Sequence, residues 1–297
     1  MNKIAHQLAT QELVRKKFRG HKRRICKSPP HYPMTAQREY QRVTNAYMKI
    51  LKEVLIEYLP DIKQEAKIEK TRHDSLDDVL AVVQRAFTAM SIELERRAEL
   101  FELRLKLEAL SKLTRKLTIK EWKRMVKATL GIDLFEDYYL GEIYRENMNL
   151  WVDKNVELIS TIPKDSLRKM KDIVMEGYRS GITTTAIMKQ IQKTYGQSKR
   201  KAKFVARDQV AKLNADITEA QQRDAGVNEY VWSDSGDGRV RNSHKALDGK
   251  RFRWDDPPIV DVKTGRRCHP GRDYGCRCVA LPVFDFDTIN LPYNDSK

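Results

Sequence analysis

Apolar side chains recur every three or four positions through most of the chain, the spacing of one buried face on an α-helix. Tyr40, Val43, Tyr47, Ile50, Leu51, Val54, Leu55 and Tyr58 form the first such stripe and predict a helix from Thr35 that stops at Pro60. A second begins at Ser75, where Asp78 three residues on completes a capping-box-like pair. Behind it Leu76, Leu80, Val83, Phe87, Met90, Leu94, Phe101 and Leu105 step by threes and fours over about seven turns, close to a heptad seam. Arg97 occupies a position of that seam, so a helical hairpin or a helix against a partner is predicted rather than an isolated coiled coil. Thr118 and Glu121 in "TIKEW" predict another capped start, closed by Gly131. A helix rich in large side chains follows, with Phe135, Tyr138, Tyr139, Ile143, Tyr144 and Trp151. Beyond Pro163 three shorter helices are expected, at 166–178, at 183–195 ended by Gly196, and from 198 to about 223.

The period changes at Val227. Tyr230, Val231 and Trp232 read as a strand, followed by a turn built on Gly236 and Gly238. "LDGKRFRW" holds a second tight turn at Asp248-Gly249 between residues that could pair as a hairpin, and "CRCVALPVF" supplies a last apolar strand. Strand alternation would put Cys276 and Cys278 on one face, and likewise Arg239 and Arg241, which could then pair with Asp248 or bind phosphate. The fold class is therefore mainly α with a small carboxy-terminal α+β domain. Three segments are expected: a basic flexible arm (1–33), an extended helical region (34–163) and a compact domain with β-hairpins (164–297).

Charge adds a partner class. The 297 residues carry 57 Lys and Arg against 41 Asp and Glu, a formal net charge of +16, which acts on polyanions rather than on fold. It is uneven: Arg15, Lys16, Lys17, Arg19, Lys22, Arg23, Arg24 and Lys27 face a single acid, Glu12. Such a segment repels itself and suits an arm ordered only on contact, hinged by "SPPHYP" (28–33). With Lys199, Arg200, Lys201 and Lys203 it forms the candidate nucleic-acid surface, for sequence-independent contact with double-stranded DNA. A solvated tail that docks on a protein is the other reading of the arm. No run of about 18 apolar residues occurs and the amino terminus is polar and basic, so a soluble protein that starts in a cytoplasm, without membrane contact, is expected.

Three of the four cysteines fall within "CHPGRDYGCRC" (268–278). Thiolates and imidazoles suit zinc, and His244, His269, Cys276 and Cys278 would supply four ligands for a structural Zn site. Against this, CxC is tighter than the usual CxxC knuckle, and buried thiols without metal or a disulfide such as Cys268 to Cys276 are the other readings. A metal-dependent nuclease would use His244 as base and Asp234, Asp237 or Asp248 to hold the ion, but those acids stand in turn sequences where Asp has ordinary conformational work.

Taken in order, Ala206-Arg207-Asp208, Asn214, Tyr230, Trp232, "DGRVRNSH" (237–244), Leu247-Asp248-Gly249, His269-Pro270-Gly271 and Cys276-Arg277-Cys278 resemble the phage Mu protein F-like family of minor head proteins, over about residues 167–284. The domain signature is carried by Arg207, Asp208, Asn214, Trp232, Asp237, Arg239, Arg241, His244, Asp248 and Gly249. Two departures stand out: Gly275 where the family pattern usually has Asn, and Cys268, which is extra. The resemblance implies a non-catalytic, low-copy virion component acting in head morphogenesis at the portal vertex. Its partners would be the portal protein, major capsid or scaffold protein, and DNA during packaging or delivery. A DNA-binding protein unconnected to virions is the competing expectation beside the nuclease.

Overall fold

The computed structural model describes residues 3–71, 76–135 and 142–292. In chain order the elements are helix α1 (Lys3–Lys17), strand β1 (Arg23–Ile25), α2 (Met34–Thr71), α3 (Leu76–Leu100), α4 (Leu103–Leu130), α5 (Glu142–Arg179), α6 (Thr184–Asp224), β2 (Glu229–Ser233), α7 (Asn242–Lys245), β3 (Arg251–Arg253), β4 (Ile259–Asp261), β5 (Arg266–Arg267) and β6 (Val279–Asp285). The chain is thus mainly helical with a small antiparallel sheet region near its carboxyl end. It divides into two compact units that interleave in sequence: residues 1–37, 110–151 and 208–297, and residues 38–109 and 152–207. Helices α2, α4, α5 and α6 each contribute one part to each unit.

The helical unit is built on the stripes read from the sequence. Tyr40, Leu51 and Val54 on α2, Val83, Phe87, Met90 and Leu94 on α3, and Ile159, Met170 and Val174 on α5 are buried. Tyr40 donates its hydroxyl to Asn155, which satisfies a polar pair inside that core. Arg97 is answered by Glu93 and Glu57. Helix lengths differ from expectation. Pro60, Pro163 and Gly196 lie inside helices, since strong helix formers follow Pro60 and buried apolar faces continue past the other two. The long seam instead breaks at Phe101-Glu102, where Glu102 takes a positive φ of 54°. Ser75, the expected cap, and Tyr138 and Tyr139 lie outside the described residues.

In the other unit β6 lies between β1 and β2 in a sheet ordered β1-β6-β2-β3, antiparallel throughout. Its five inner residues are all buried, while β2 alternates, pointing Tyr230 and Trp232 into the core. Thr118 is no cap: α4 runs through it, and its hydroxyl meets the Thr114 carbonyl one turn back. Residues 3–26, expected as a flexible arm, form α1 and β1. Val14 and Cys26 are buried, Thr10 bonds Leu291 O, and Arg23, Arg24 and Ile25 lie opposite Asp285, Phe284 and Val283. Backbone pairing along β6 and counter-charges at Asp285, Asp287 and Glu229 offset the repulsion that the basic sequence suggested.

Candidate functional site

Several of the signature residues meet at the segment 268–278. Tyr230, Trp232, Trp254, Val260, Cys276, Cys278 and Ala280 form one buried apolar cluster, with Cys268 packed against it. The short helix α7 lowers His244 onto it, so that the His244 ring meets Trp232 edge-on at 5.4 Å. His244 Nδ1 lies 3.5 Å from Cys276 Sγ and 3.6 Å from Cys278 Sγ. On its far side Nε2 is 3.1 Å from Asp273 Oδ2. Asp273 is itself buried and receives Arg241 at 3.3 Å and Arg266 at 3.1 Å, so one interior carboxylate ties together three elements.

Other signature residues hold this segment in place. Asp208, buried past the middle of α6, accepts the Gly275 N–H at 2.7 Å and the Lys212 ammonium at 2.6 Å. Gly275 has φ 61°, the left-handed region that glycine and asparagine tolerate best, which accounts for one standing where the other is usual. Asn214 Oδ1 accepts from the Thr118 hydroxyl at 2.8 Å. Asp237 accepts the Arg239 N–H and pairs with Arg277. Asp248 accepts the Asp234 N–H, and Gly249, at φ 73°, donates to Trp232 O between β2 and β3. A Cβ at Gly271 would stand 2.9 Å from that of Ala215, so α6 and the "HPG" turn approach closely.

Several expectations change here. Arg239 and Arg241 are not on a strand; they stand in the turn before α7, and Arg241 pairs with Asp273 rather than Asp248. Cys276 and Cys278 precede β6 instead of lying within it, yet both still face His244. All four cysteines are free thiols, so the Cys268–Cys276 disulfide is absent. His269 is turned elsewhere: its Nδ1 bonds the Tyr230 hydroxyl at 2.9 Å and its ring lies 4.8 Å from that of Trp254. Among the described residues, the metal-ligating group is His244, Cys276 and Cys278, their ligand atoms all within 4.8 Å. Asp234, Asp237 and Asp248 are spent on turn amides and arginine and do not join it. Asp273 and Arg266 were not foreseen as site residues; an acid in "GRDYG" carries no local mark of burial.

The two sulfurs share charge unequally. The hydrogen bond from Cys278 leads in holding Cys276 below the ordinary thiol range, to about 5; burial opposes it, and His244 and the backbone amides of Cys278 and Gly271 assist. Cys278 is raised in turn, by its bond to Cys276 and by burial. Burial would lower His244, but the bond to Cys276 and its charge, then Asp273, raise it. A thiol–imidazole–carboxylate chain is also the layout of a nucleophilic site. The cavity that Cys276 and Cys278 line, with Gly271, Ala215 and Asn214, measures only ≈ 10 Å³, about one water's room.

This arrangement of turns, aspartates and paired cysteines can now be set beside known proteins. Residues 168–281 match the family model described as Phage Mu protein F like protein. That segment is similar to the Mu F-like family. An uncharacterized protein of Haemophilus influenzae is 36% identical over 160 residues, covering 54% of this chain and 34% of its own length, so the chain spans about a third of that relative. No solved structure matches. The Mu F-like segment contains every residue of the His244 cluster and Asp208, the residue that anchors Gly275.

None of the basic residues expected to contact DNA is among those of this site. Arg15, Lys16, Lys17, Arg19, Lys22, Arg23, Arg24 and Lys27 are all exposed, though Arg15 pairs with Asp287, Arg23 with Asp285, and Arg24 lies 4.1 Å from the Phe18 ring. Lys199, Arg200, Lys201 and Lys203 are exposed on α6, and Arg207 lies over the Phe204 ring at 5.5 Å. Among the described residues, no helix is long and apolar enough to cross a membrane.

Proposed function

We propose that the chain acts without catalysis as a minor head protein in phage head morphogenesis, at the portal vertex and within the virion. The observation that carries this reading is the Mu F-like match over 168–281, whose signature residues are spent on building one small domain rather than on lining a cleft. The tiny cavity beside the thiols supports a structural role over turnover of a substrate. The helical unit, with exposed Ile56, Ile92, Leu100 and Leu105, is suited to docking on portal, capsid or scaffold protein. The exposed arm basics and the run Lys199, Arg200, Lys201 and Lys203 serve packaged or exiting DNA through its phosphates.

The test is composition of purified particles. Quantitative mass spectrometry is expected to find this chain in assembled heads at a copy number far below the major capsid protein, and its deletion is expected to reduce filled heads. Particles that assemble and fill normally without it, and contain none, would overturn the assignment.

A further inference from the structure

Head assembly leaves the buried His244, Cys276 and Cys278 without an explanation. Their three ligand atoms lie within 4.8 Å of one another, closer than three unrelated buried side chains need to be. The proton on His244 is fixed by its neighbours. Asp273 can only accept while it answers Arg241 and Arg266, so Nε2 carries a hydrogen and Nδ1 is the nitrogen that faces both sulfurs. A carboxylate behind a histidine whose other nitrogen faces two cysteines is the outer shell that metal-bound histidines use.

Cys276 Sγ receives the Cys278 N–H at 3.4 Å. The two sulfurs and the His244 nitrogen converge within an apolar cluster, where a soft cation would neutralise the thiolates that bind it. Two soft sulfurs and an imidazole select zinc over the hard cations that oxygen ligands prefer.

We propose that His244 Nδ1 and the Cys276 and Cys278 thiolates bind one Zn²⁺, with Asp273 orienting His244 and His269 taking no part. This ligand set replaces the four residues expected from the sequence, because Tyr230 and Trp254 hold His269 within the aromatic cluster. Among the described residues no fourth His, Cys, Asp or Glu joins the three, which leaves the last tetrahedral position to a non-protein ligand.

The experiment uses the full chain, without an affinity tag that binds metal, purified without chelator. Elemental analysis is expected to give about one zinc per chain, and chelation is expected to lower Tm. Replacing zinc by Co²⁺ is expected to give the visible and thiolate charge-transfer absorption of a tetrahedral sulfur site. Cys276→Ser, Cys278→Ser and His244→Ala should lose the metal, while His269→Ala keeps it. If the cysteine variants do not fold, thiol alkylation of the wild type decides: Cys276 and Cys278 should be protected with zinc and labelled after chelation under conditions that keep the fold. Zinc-free protein whose Co²⁺ form lacks thiolate absorption, or metal binding unchanged in His244→Ala, overturns the proposal and leaves a metal-free thiol–imidazole cluster.

Discussion

Gly275 links the two ends of the small domain's polar interior. Its N–H is donated to Asp208 on α6, and the next residue is Cys276, so its left-handed φ of 61° sets where the thiol points. Asparagine adopts that conformation at little cost, whereas a β-branched side chain strains it by about 2 kcal/mol. Gly275→Asn is therefore expected to stay within about 1 kcal/mol of wild type in denaturant unfolding, and Gly275→Val to lose about 2 kcal/mol. Equal losses in the two variants would mean that backbone conformation is not what the position requires. Asp273, two residues before, was illegible in the sequence for a physical reason. Its partners Arg241 and His244 stand 32 and 29 residues away, and a Gly-Arg-Asp-Tyr-Gly stretch has the composition of any exposed turn.

At the scale of elements, the helical stripes and the strands around Tyr230 and β6 were legible because periodicity reports burial directly. Helix ends were not, since Pro60, Pro163 and Gly196 are local penalties that packing outweighs. The order of residues 3–33 was hidden for a related reason: charge composition says nothing about a free edge of β6, 250 and more residues later in the chain, that β1 can pair with. The segment after β1 is held by a polar staple on α4. Glu121 Oε2 accepts the His31 N–H at 3.0 Å and Arg124 Nε at 2.8 Å, and Arg124 reaches Ser28 Oγ and Pro29 O, each at 2.8 Å. Burial would raise the Glu121 carboxyl, but the His31 amide and Arg124 outweigh it and hold it below its ordinary value. A depressed carboxylate adds stability above its unfolded pKa and loses it as pH falls through the folded one. Glu121→Gln should thus cost about 1–2 kcal/mol near neutrality, the worth of a charged hydrogen bond. The gap to wild type should close as pH falls below about 4. A gap that stays constant through acid would assign the effect to packing instead.

At the scale of the whole molecule, a net charge of +16 is distributed over two kinds of basic residue. On the arm, Arg15 and Arg23 are already answered by Asp287 and Asp285, so part of that charge is used within the fold. On α6, Lys199, Arg200, Lys201 and Lys203 are exposed and, among the described residues, make no ion pair, which leaves them for an external anion. DNA binding by this chain is therefore expected to be sequence-independent and to weaken steeply with salt, because each phosphate neutralised releases counterions. Replacing the four α6 residues with glutamine should lower the slope of log affinity against log salt by roughly 0.9 for each phosphate left without its cation. Replacing Arg15 and Arg23 should lower it by less and should also reduce stability, since both residues hold their segment to the sheet unit. Titrations on two unrelated duplexes across a salt series measure both slopes. Affinity that is flat in salt would remove DNA contact from the function, and a larger slope change from the arm than from α6 would reverse the assignment of the surface.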